Sequence, residues 1–226
     1  MERCDNMNKK VNVPKYGKPV VFLSRLERER YAFEAMQETF TCDEGVFRLV
    51  PRIDEETVRL NVKEMAGDIV GHLGGRPFLM IVLLEGAKPW AEWLLREFPV
   101  RPEVRYVKVS SYCGTETTGE VTLPRDWGVL APDMPVLVVD DVLDSGLTLK
   151  AVKEDLENRG VRCVLMAVGV DKKPGRRVSV EADFRALEMG AEFLVGCGMD
   201  YNGHFRELPY IATVVFEGDH KKALQG

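Results

Sequence analysis

Apolar residues recur at two different spacings along the chain, and these spacings predict which segments are helices and which are strands. From residue 54 to residue 75 they recur every three to four positions, with acids at the start and two glycines at the end, which is typical of one amphipathic helix. Residues 78–84 are continuously apolar, as expected of a strand covered on both faces of a parallel sheet. The same patterns predict strands at 104–110, 136–139 and 161–170 and helices at 89–94 and 149–160.

The alternation of strand and helix predicts the α/β class, with right-handed βαβ units and a twisted parallel sheet flanked by helices. Ligands of such sheets bind at the carboxyl ends of the strands. After Gly175 the pattern changes to short apolar segments at 193–196 and 211–216. We therefore expect three regions: residues 1–50, which are partly a small hood over the sheet, a core of residues 51–175, and a C-terminal hood in residues 176–226.

Composition narrows the range of partners. The chain is 45% hydrophobic and 30% charged, as in ordinary soluble domains, and its net charge of −5 argues against general nucleic-acid binding, which needs clustered Lys and Arg. Residues 78–84 form the longest apolar run, which is too short to span a bilayer, and the N-terminus lacks the apolar stretch of a signal peptide. Five scattered cysteines without a CxxC pair favour reduced thiols in a cytoplasmic protein.

Two adjacent carboxylates follow the apolar run at 136–139. Asp140 and Asp141 repel each other and have no basic neighbour in the sequence, which is unfavourable unless a cation binds there. Such a pair could bind the two hydroxyls of a ribose, directly or through Mg²⁺ that also meets pyrophosphate oxygens. We therefore interpret this strand end as a sugar site.

A tight loop and the start of a helix come directly after the acidic pair. Ser145, Gly146 and Thr148 lie where backbone N–H groups, hydroxyls and the helix dipole can together hold a phosphate. The alternative is structural, because Asp144 and Ser145 are also residues that commonly cap a helix.

Residues 138–148 resemble the phosphoribosyl-pyrophosphate (PRPP) motif of type I phosphoribosyltransferases, and a resemblance to the hypoxanthine-guanine branch of that family extends over roughly residues 80–218. The further motifs that resemble this branch are residues 84–87 (pyrophosphate loop), 111–112 (start of a mobile lid), Lys172 (purine-recognition lysine) and residues 200–208 (C-terminal signature). The resemblance implies a twisted parallel sheet with a hood and a purine salvage reaction, in which PRPP and hypoxanthine or guanine give IMP or GMP and pyrophosphate.

The resemblance also implies a role for each matching residue. Asp144 would be the general base that takes the proton from purine N7. The ribose and the 5′-phosphate would be bound by Asp140, Asp141, Ser145, Gly146, Leu147 and Thr148. Pyrophosphate would meet Glu85, Gly86, Ala87, Ser111, Tyr112 and Arg206. In the purine site Lys172 would bind the oxygen at C6, Phe193 would stack on the ring, and Leu194 and Asp200 would meet the far edge. Mg²⁺ would be held at Asp140, Asp141 and Asp200.

Several of these residues also have plainer interpretations. Phe193 could belong to the core, since Phe in an apolar strand is usually buried. Lys172 and Lys173 could form a solvated turn, and Arg206 could pair with Glu207 at the surface. The turn-rich segment 111–135 could be a disordered surface loop instead of a lid that excludes water.

The match departs from the family pattern at two positions. Relatives usually carry Lys or Arg where this chain has Glu85, so either the carboxylate points away and the Gly86 and Ala87 amides bind the anion, or Lys88 substitutes, or pyrophosphate binding is weaker. Relatives also have a non-proline cis peptide in this loop, which here would be Leu84–Glu85. Leu147 replaces a residue that is often Lys or Arg.

Other functions remain open at this point. The same machinery could accept xanthine, because the choice among 6-oxopurines depends on contacts at the 2-position. A regulator that keeps the fold and binds nucleic acid would need a basic face, for which the available residues are Lys172, Lys173, Arg176 and Arg177. The expected partners are PRPP, a 6-oxopurine and pyrophosphate, with a homodimer or homotetramer as in the family and no membrane association.

Overall fold

The computed structural model describes residues 8–11, 38–42, 45–111 and 121–217. The strands in this part of the chain are β1 (Asn8–Val11), β2 (Glu38–Cys42), β3 (Gly45–Ile53), β4 (Leu79–Leu84), β5 (Glu103–Lys108), β6 (Ser110–Ser111), β7 (Val121–Thr122), β8 (Val136–Leu143), β9 (Val164–Asp171), β10 (Phe184–Glu188), β11 (Leu194–Val195) and β12 (Ile211–Glu217). The α-helices are α1 (Glu55–Leu73), α2 (Lys88–Glu97) and α3 (Leu147–Asn158).

A five-stranded parallel sheet forms the core, in the order β10-β9-β8-β4-β5. Alternate residues of its strands face opposite layers: Met80 and Val82 pack with α1 and α2, and Leu79 and Ile81 pack with α3. The predicted α/β class, with helices on both faces of a parallel sheet, is therefore confirmed.

Local sequence explains where the first helix begins and ends. Asp54 caps α1, because its Oδ1 accepts a bond of 2.7 Å from the Thr57 N–H, and Glu55 and Glu56 follow at the positive end of the helix dipole. Gly74 ends the helix in the left-handed conformation at φ 59°. The predicted helix over residues 54–75 thus matches α1.

A second, antiparallel sheet of order β1-β2-β3-β12-β11 forms the hood. Its long pairing joins β3 to β12, from Val46 opposite Glu217 to Ile53 opposite Ile211, so the hood combines N-terminal and C-terminal segments. Phe47, Val195 and Tyr201 are buried in its own apolar cluster. Ile211 packs in the main core, which attaches the hood to the parallel sheet.

The parallel sheet extends beyond residue 175, where we placed the end of the core. β10 lies after this boundary, yet it pairs in parallel with β9, from Phe184 opposite Ala167 to Glu188 opposite Asp171. The sequence pattern conceals this strand because it lies at the sheet edge, where only Ala186 of its five residues is buried. The hood segment proper therefore begins later than we expected.

The strand order reverses direction between β4 and β8. From β4 the chain crosses through α2 to β5 on one side, whereas from β8 it crosses through α3 to β9 on the other. Such a switch point opens a crevice at the carboxyl ends of the two central strands. Within the part of the chain that the structure describes, no helix combines the length and apolarity that a bilayer crossing requires.

Candidate active site

The acidic pair lies on the β8 side of this crevice. β8 is longer than predicted and runs through both carboxylates to Leu143, still paired with β9 on one side. Its pairing with β4 ends at Val139 opposite Val82, so beyond Val139 the two central strands separate. Asp140 and Asp141, both half-buried, therefore stand at the opening of the crevice.

Burial disfavours the charged form of both acids, and repulsion by Asp141 adds to this effect at Asp140. Burial raises the pKa of Asp140 well above its ordinary value, and the neighbouring Asp141 carboxylate raises it further. Burial also raises the pKa of Asp141, an effect that hydrogen bonds and the positive charge of Arg206 partly offset. A cation or the hydroxyls of a sugar would satisfy this pair, so the electrostatics fit the predicted ligand.

The loop that follows β4 packs directly on Asp141. A Cβ built on Gly86 would lie 1.9 Å from Asp141 Oδ2, so only glycine allows this approach. A Cβ on Gly198 would lie 1.9 Å from the carbonyl oxygen of Gly86, so the hood backbone presses on the same loop from the other side. The predicted pyrophosphate loop thus lies between the acidic pair and the hood.

The expected cis peptide is present between Leu84 and Glu85. The Glu85 side chain is exposed, which does not decide among the three alternatives for this position. The Ala87 N–H donates to the Leu83 carbonyl at 3.2 Å, which engages one of the two amides expected to face an anion. Lys88 is exposed at the start of α2.

The phosphate loop lies across the crevice at the start of α3. Gly146 caps α3 in the left-handed conformation at φ 83°, without a side-chain cap bond. Ser145 Oγ accepts only a long bond of 3.4 Å from the Leu147 N–H. The interpretation of Asp144 as a helix cap is therefore wrong. The N–H groups at the amino end of α3 lie beside a loop rich in small residues, as they do in phosphate sites.

Asp144 is held by the turn that follows β9. Lys172 Nζ lies 2.9 Å from Asp144 Oδ2, and the Lys172 side chain is only 10% exposed. Gly175 lets the carboxylate approach, since a Cβ there would lie 1.5 Å from Asp144 Oδ1. The solvated-turn interpretation of Lys172 is wrong, although Lys173 is exposed. The structure thus joins the predicted base and the predicted purine-recognition lysine.

The C-terminal signature forms a hook around Arg206. Its Nη2 lies 2.6 Å from Asp200 Oδ1, and its Nη1 donates to the Gly198 carbonyl at 2.5 Å. Asp200 Oδ2 accepts from the Gly203 N–H at 2.6 Å. Among the described residues Arg206 pairs with the Asp200 carboxylate and not with Glu207, which the plainer interpretation proposed. The hook adjoins the pyrophosphate loop through Gly198.

The predicted purine platform lies in the hood. Phe193 is half-buried and meets Tyr201 edge to face, with 5.7 Å between ring centroids. The Leu194 side chain is 6% exposed and packs in the main core, which leaves only its backbone to meet a ligand. Core packing is therefore part of the role of both residues. Of the predicted lid, Ser111 belongs to β6 and residues 121–135 are described, whereas Tyr112 and residues 113–120 lie outside the described residues.

No group of three or more His, Cys, Asp or Glu side chains in the described part of the chain converges on a metal position. Asp200 is engaged by Arg206 and does not join Asp140 and Asp141 in such a group. Mg²⁺ usually takes one or two carboxylates and completes its shell with water and substrate phosphates, so the acidic pair fits such an ion when substrate supplies the remaining oxygens.

Sequence reasoning missed two glycines that shape the site. Gly175 admits the Asp144 carboxylate and Gly198 supports the pyrophosphate loop, and both contacts join segments that are distant in sequence. The one local signal is the Gly196-Cys197-Gly198 run, in which all three residues have positive φ.

A parallel sheet with an acidic pair, a phosphate loop and a cis-peptide loop at one crevice is the arrangement of a phosphoribosyltransferase. The family model described as phosphoribosyl transferase domain matches residues 53–202. The fold, the site and the sequence therefore all place this chain among the phosphoribosyltransferases.

Known proteins narrow the class. The hypoxanthine-guanine phosphoribosyltransferase of Staphylococcus epidermidis is 34% identical over 166 residues, which cover 73% of this chain and 93% of the relative. A hypoxanthine phosphoribosyltransferase structure from Staphylococcus aureus matches with a TM-score of 0.68 and 31% identity, over 73% of this chain and 90% of that one. A hypoxanthine-guanine phosphoribosyltransferase structure from Bacillus anthracis matches with a TM-score of 0.68 and 30% identity, over 75% and 99% of the two chains. The chain belongs to the hypoxanthine-guanine phosphoribosyltransferase family.

Proposed function

We propose that this chain catalyses Mg²⁺-dependent transfer of the phosphoribosyl group of PRPP to hypoxanthine or guanine, giving IMP or GMP and pyrophosphate. The observation that carries the proposal is the meeting of three elements at the β4–β8 switch point. These elements are the acidic pair, the loop at Gly86 that packs on Asp141, and the amino end of α3. The acidic pair can meet sugar hydroxyls, the start of α3 can meet a phosphate, and the loop at Gly86 can meet a pyrophosphate.

PRPP would bind with its 5′-phosphate at the phosphate loop, where the N–H groups at the start of α3 and the hydroxyls of Ser145 and Thr148 donate to it. Its ribose hydroxyls would then face Asp140 and Asp141. The pyrophosphate would extend towards Gly86 and the Arg206 hook. In this pose the bond between ribose C1 and the pyrophosphate oxygen lies over the crevice.

Purine N9 would attack ribose C1 as the bond to the pyrophosphate oxygen breaks, and the proton on N7 would pass to Asp144. Positive charge that develops on the ribose during this step is stabilised by nearby carboxylates. Asp144 is suited to accept the proton because Gly175 admits its carboxylate at the loop and Lys172 fixes its orientation at 2.9 Å.

Lys172 would also select the base. An ammonium group has three donors and no acceptor, so it can keep its bond to Asp144 while donating a second hydrogen bond to an oxygen at purine C6. Adenine presents an amino donor at that position, which would leave the largely buried ammonium facing another donor. We therefore assign 6-oxopurines as the substrate class.

Mg²⁺, when bound, would neutralise the pyrophosphate leaving group, and its protein ligands would be Asp140 and Asp141. Glu85 supplies no positive charge in the pyrophosphate loop. We therefore expect Arg206 to be the positively charged residue that faces the leaving group. Arg206 therefore has more influence on pyrophosphate here than it would beside a basic loop.

The four basic residues available for a nucleic-acid-binding face, all in the described part of the chain, do not form one exposed surface. Lys172 is held by Asp144, and Arg176 is 13% exposed and paired with Asp171. This leaves Lys173 and Arg177 as the exposed members of the four. We propose a homo-oligomer in the cytoplasm, with PRPP and 6-oxopurine as the ligands.

The test is a spectrophotometric assay with PRPP, Mg²⁺ and each of hypoxanthine, guanine, xanthine, adenine and orotate. We expect turnover of hypoxanthine and guanine, and loss of activity when the metal is chelated. Turnover of adenine or orotate without any 6-oxopurine would refute the assignment. Tight nucleic-acid binding without turnover of any base would favour the regulator instead.

A further inference from the structure

A largely buried arginine outside the predicted site holds the phosphate loop from behind. Arg176 directly follows the 3-10 turn Lys173–Gly175, and its side chain is 13% exposed. Its Nε donates to the Asp144 carbonyl at 3.0 Å, and its Nη2 donates to the Leu143 carbonyl at 3.3 Å. Its Nη1 donates to the Val180 carbonyl. One guanidinium thus ties two consecutive carbonyls of the loop to the segment behind it.

The sheet itself holds this arginine in place. Asp171, the last residue of β9, lies opposite Leu143 in the β8–β9 pairing, and its side chain is fully buried. Arg176 Nη2 lies 2.5 Å from Asp171 Oδ1. A buried carboxylate needs such a partner, so the pair fixes the guanidinium at the point where β8 turns into the loop.

The loop also packs on the stem of the same side chain. A Cβ on Gly146 would lie 3.0 Å from Arg176 Cδ and 2.5 Å from Val180 Cγ1. The Arg177 N–H adds a bond of 2.9 Å to the Ser145 carbonyl. The loop is therefore fixed on its outer side by close packing and by hydrogen bonds to three consecutive carbonyls.

The direction of these carbonyls decides where the loop N–H groups point. A trans peptide is planar, with its C=O and N–H pointing in opposite directions. When the Asp144 carbonyl points to Arg176, the N–H of Ser145 must point away from Arg176, towards the crevice. The Leu143 carbonyl, which sets the direction of the Asp144 N–H, accepts from the Lys172 N–H at 2.9 Å as well as from Arg176, so at this peptide Arg176 adds to a bond of the backbone. Arg176 thereby orients the donors that a phosphate would meet.

We propose that Arg176 is a positioning residue for the reaction, because it sets the orientation of the phosphate-loop peptides and of Asp144 without contacting substrate. This inference rests on the proposed function in one respect: the phosphate is taken to be that of PRPP. Arg176 acts through geometry as well as charge, because lysine cannot reproduce a planar guanidinium that bonds several acceptors at once.

The experiment compares Arg176→Lys, Arg176→Met and the double variant Asp171→Asn/Arg176→Met. The double variant removes the buried charge pair, and with it the unpaired carboxylate that the single Met variant leaves. The control is Arg162→Gln, which breaks an Arg–Asp pair of the same 2.5 Å separation, made with Asp133 in an exposed position. The measurements are Tm, kcat, KM for PRPP and for the base, and the Kd for GMP by calorimetry.

We expect all three Arg176 variants to raise KM for PRPP and Kd for GMP, by about 100-fold for the Met variants, because small misplacements of a phosphate site have effects of this size. KM for the base should change by less than about threefold, and the control should match the parent. The double variant should recover the Tm that Arg176→Met loses, without recovering KM for PRPP.

A merely structural arginine would give the opposite pattern. Parental KM and Kd in the double variant, or in Arg176→Lys, would overturn the inference, and the Lys variant decides the matter if the neutral variants do not fold. Failure of the proposed function looks different, because the parent would then turn over no base with PRPP. In that case the Kd for ribose 5-phosphate tests the positioning role alone.

Discussion

Replacing Gly86 by alanine adds one methyl group at the tightest contact of the site. The new Cβ would lie 1.9 Å from Asp141 Oδ2 and 2.5 Å from Asp141 Cγ. Ordinary contact begins at 3.4 Å, so the loop and the carboxylate must separate by about 1.5 Å. Neither side moves freely, because Gly198 presses on the Gly86 carbonyl and Asp141 is part of β8.

This separation sets the expected magnitude. A shift of about 1 Å in a catalytic arrangement lowers the rate by about 100-fold, which corresponds to ~2.7 kcal/mol of transition-state stabilisation. Overpacking of the fold costs about 1–3 kcal/mol of stability, so the variant should still fold in a domain of ordinary stability. We therefore expect Gly86→Ala to lose about 100-fold or more in kcat/KM for PRPP.

The assay is steady-state transfer to hypoxanthine, with PRPP and the base varied in turn and Tm measured on the same samples. The matched control is Gly67→Ala on the exposed face of α1, where an added Cβ meets nothing within 4 Å. Alanine is a better helix former than glycine, so the control should keep parental kinetics and gain about 0.5–1 kcal/mol of stability. A Gly86→Ala enzyme with kcat/KM within about threefold of the parent would refute the reasoning. Such a result would mean that the loop at Gly86 does not pack on Asp141 during catalysis.

Four further outcomes follow from the site. Lys172→Met should raise KM for hypoxanthine more than KM for PRPP, by about tenfold or more, since it removes the donor to the C6 oxygen; equal effects on both substrates in the same assay would contradict that role. Asp144→Asn should lower kcat by about 100-fold or more, and an enzyme as fast as the parent would exclude Asp144 as the base. Asp140→Asn should stabilise the ligand-free protein at neutral pH. Folding raises the pKa of Asp140, so this carboxyl destabilises the folded protein increasingly as the pH rises above its unfolded-state pKa near 3.9. The variant should therefore gain about 2–4 °C in Tm per kcal/mol at neutral pH, and this gain should disappear below about pH 3.9. Glu85→Lys should tighten pyrophosphate, seen as a product-inhibition constant lowered by about tenfold, and an unchanged constant would mean that this side chain never faces the leaving group.

Most of the fold was accessible to sequence reasoning, because local chemistry and tertiary packing agree along the central strands. α1 is capped by Asp54 and Gly74 as the sequence predicts, and the apolar run before Asp140 is a buried central strand. β10 was missed because an edge strand with one buried residue carries no apolar periodicity that distinguishes it from a loop.

The site was predictable where one segment carries the chemistry and was not where the chemistry depends on contacts between segments. The acidic pair and the phosphate loop are contiguous in sequence, so their roles could be proposed from residue type and order. The partner of Lys172 is 28 residues away, and the supports at Gly175, Gly198 and Arg176 depend on which loops meet at the switch point. Side-chain pairing of this kind follows only from the assembled fold.

The central claim is that the β4–β8 crevice binds the ribose 5-phosphate of PRPP, and its most direct test is a crystal structure of the protein with GMP and Mg²⁺. The account predicts the nucleotide phosphate on the N–H groups at residues 145–148, the ribose hydroxyls at Asp140 and Asp141, and the C6 oxygen on Lys172. A nucleotide bound elsewhere, with this crevice occupied only by solvent, would contradict it.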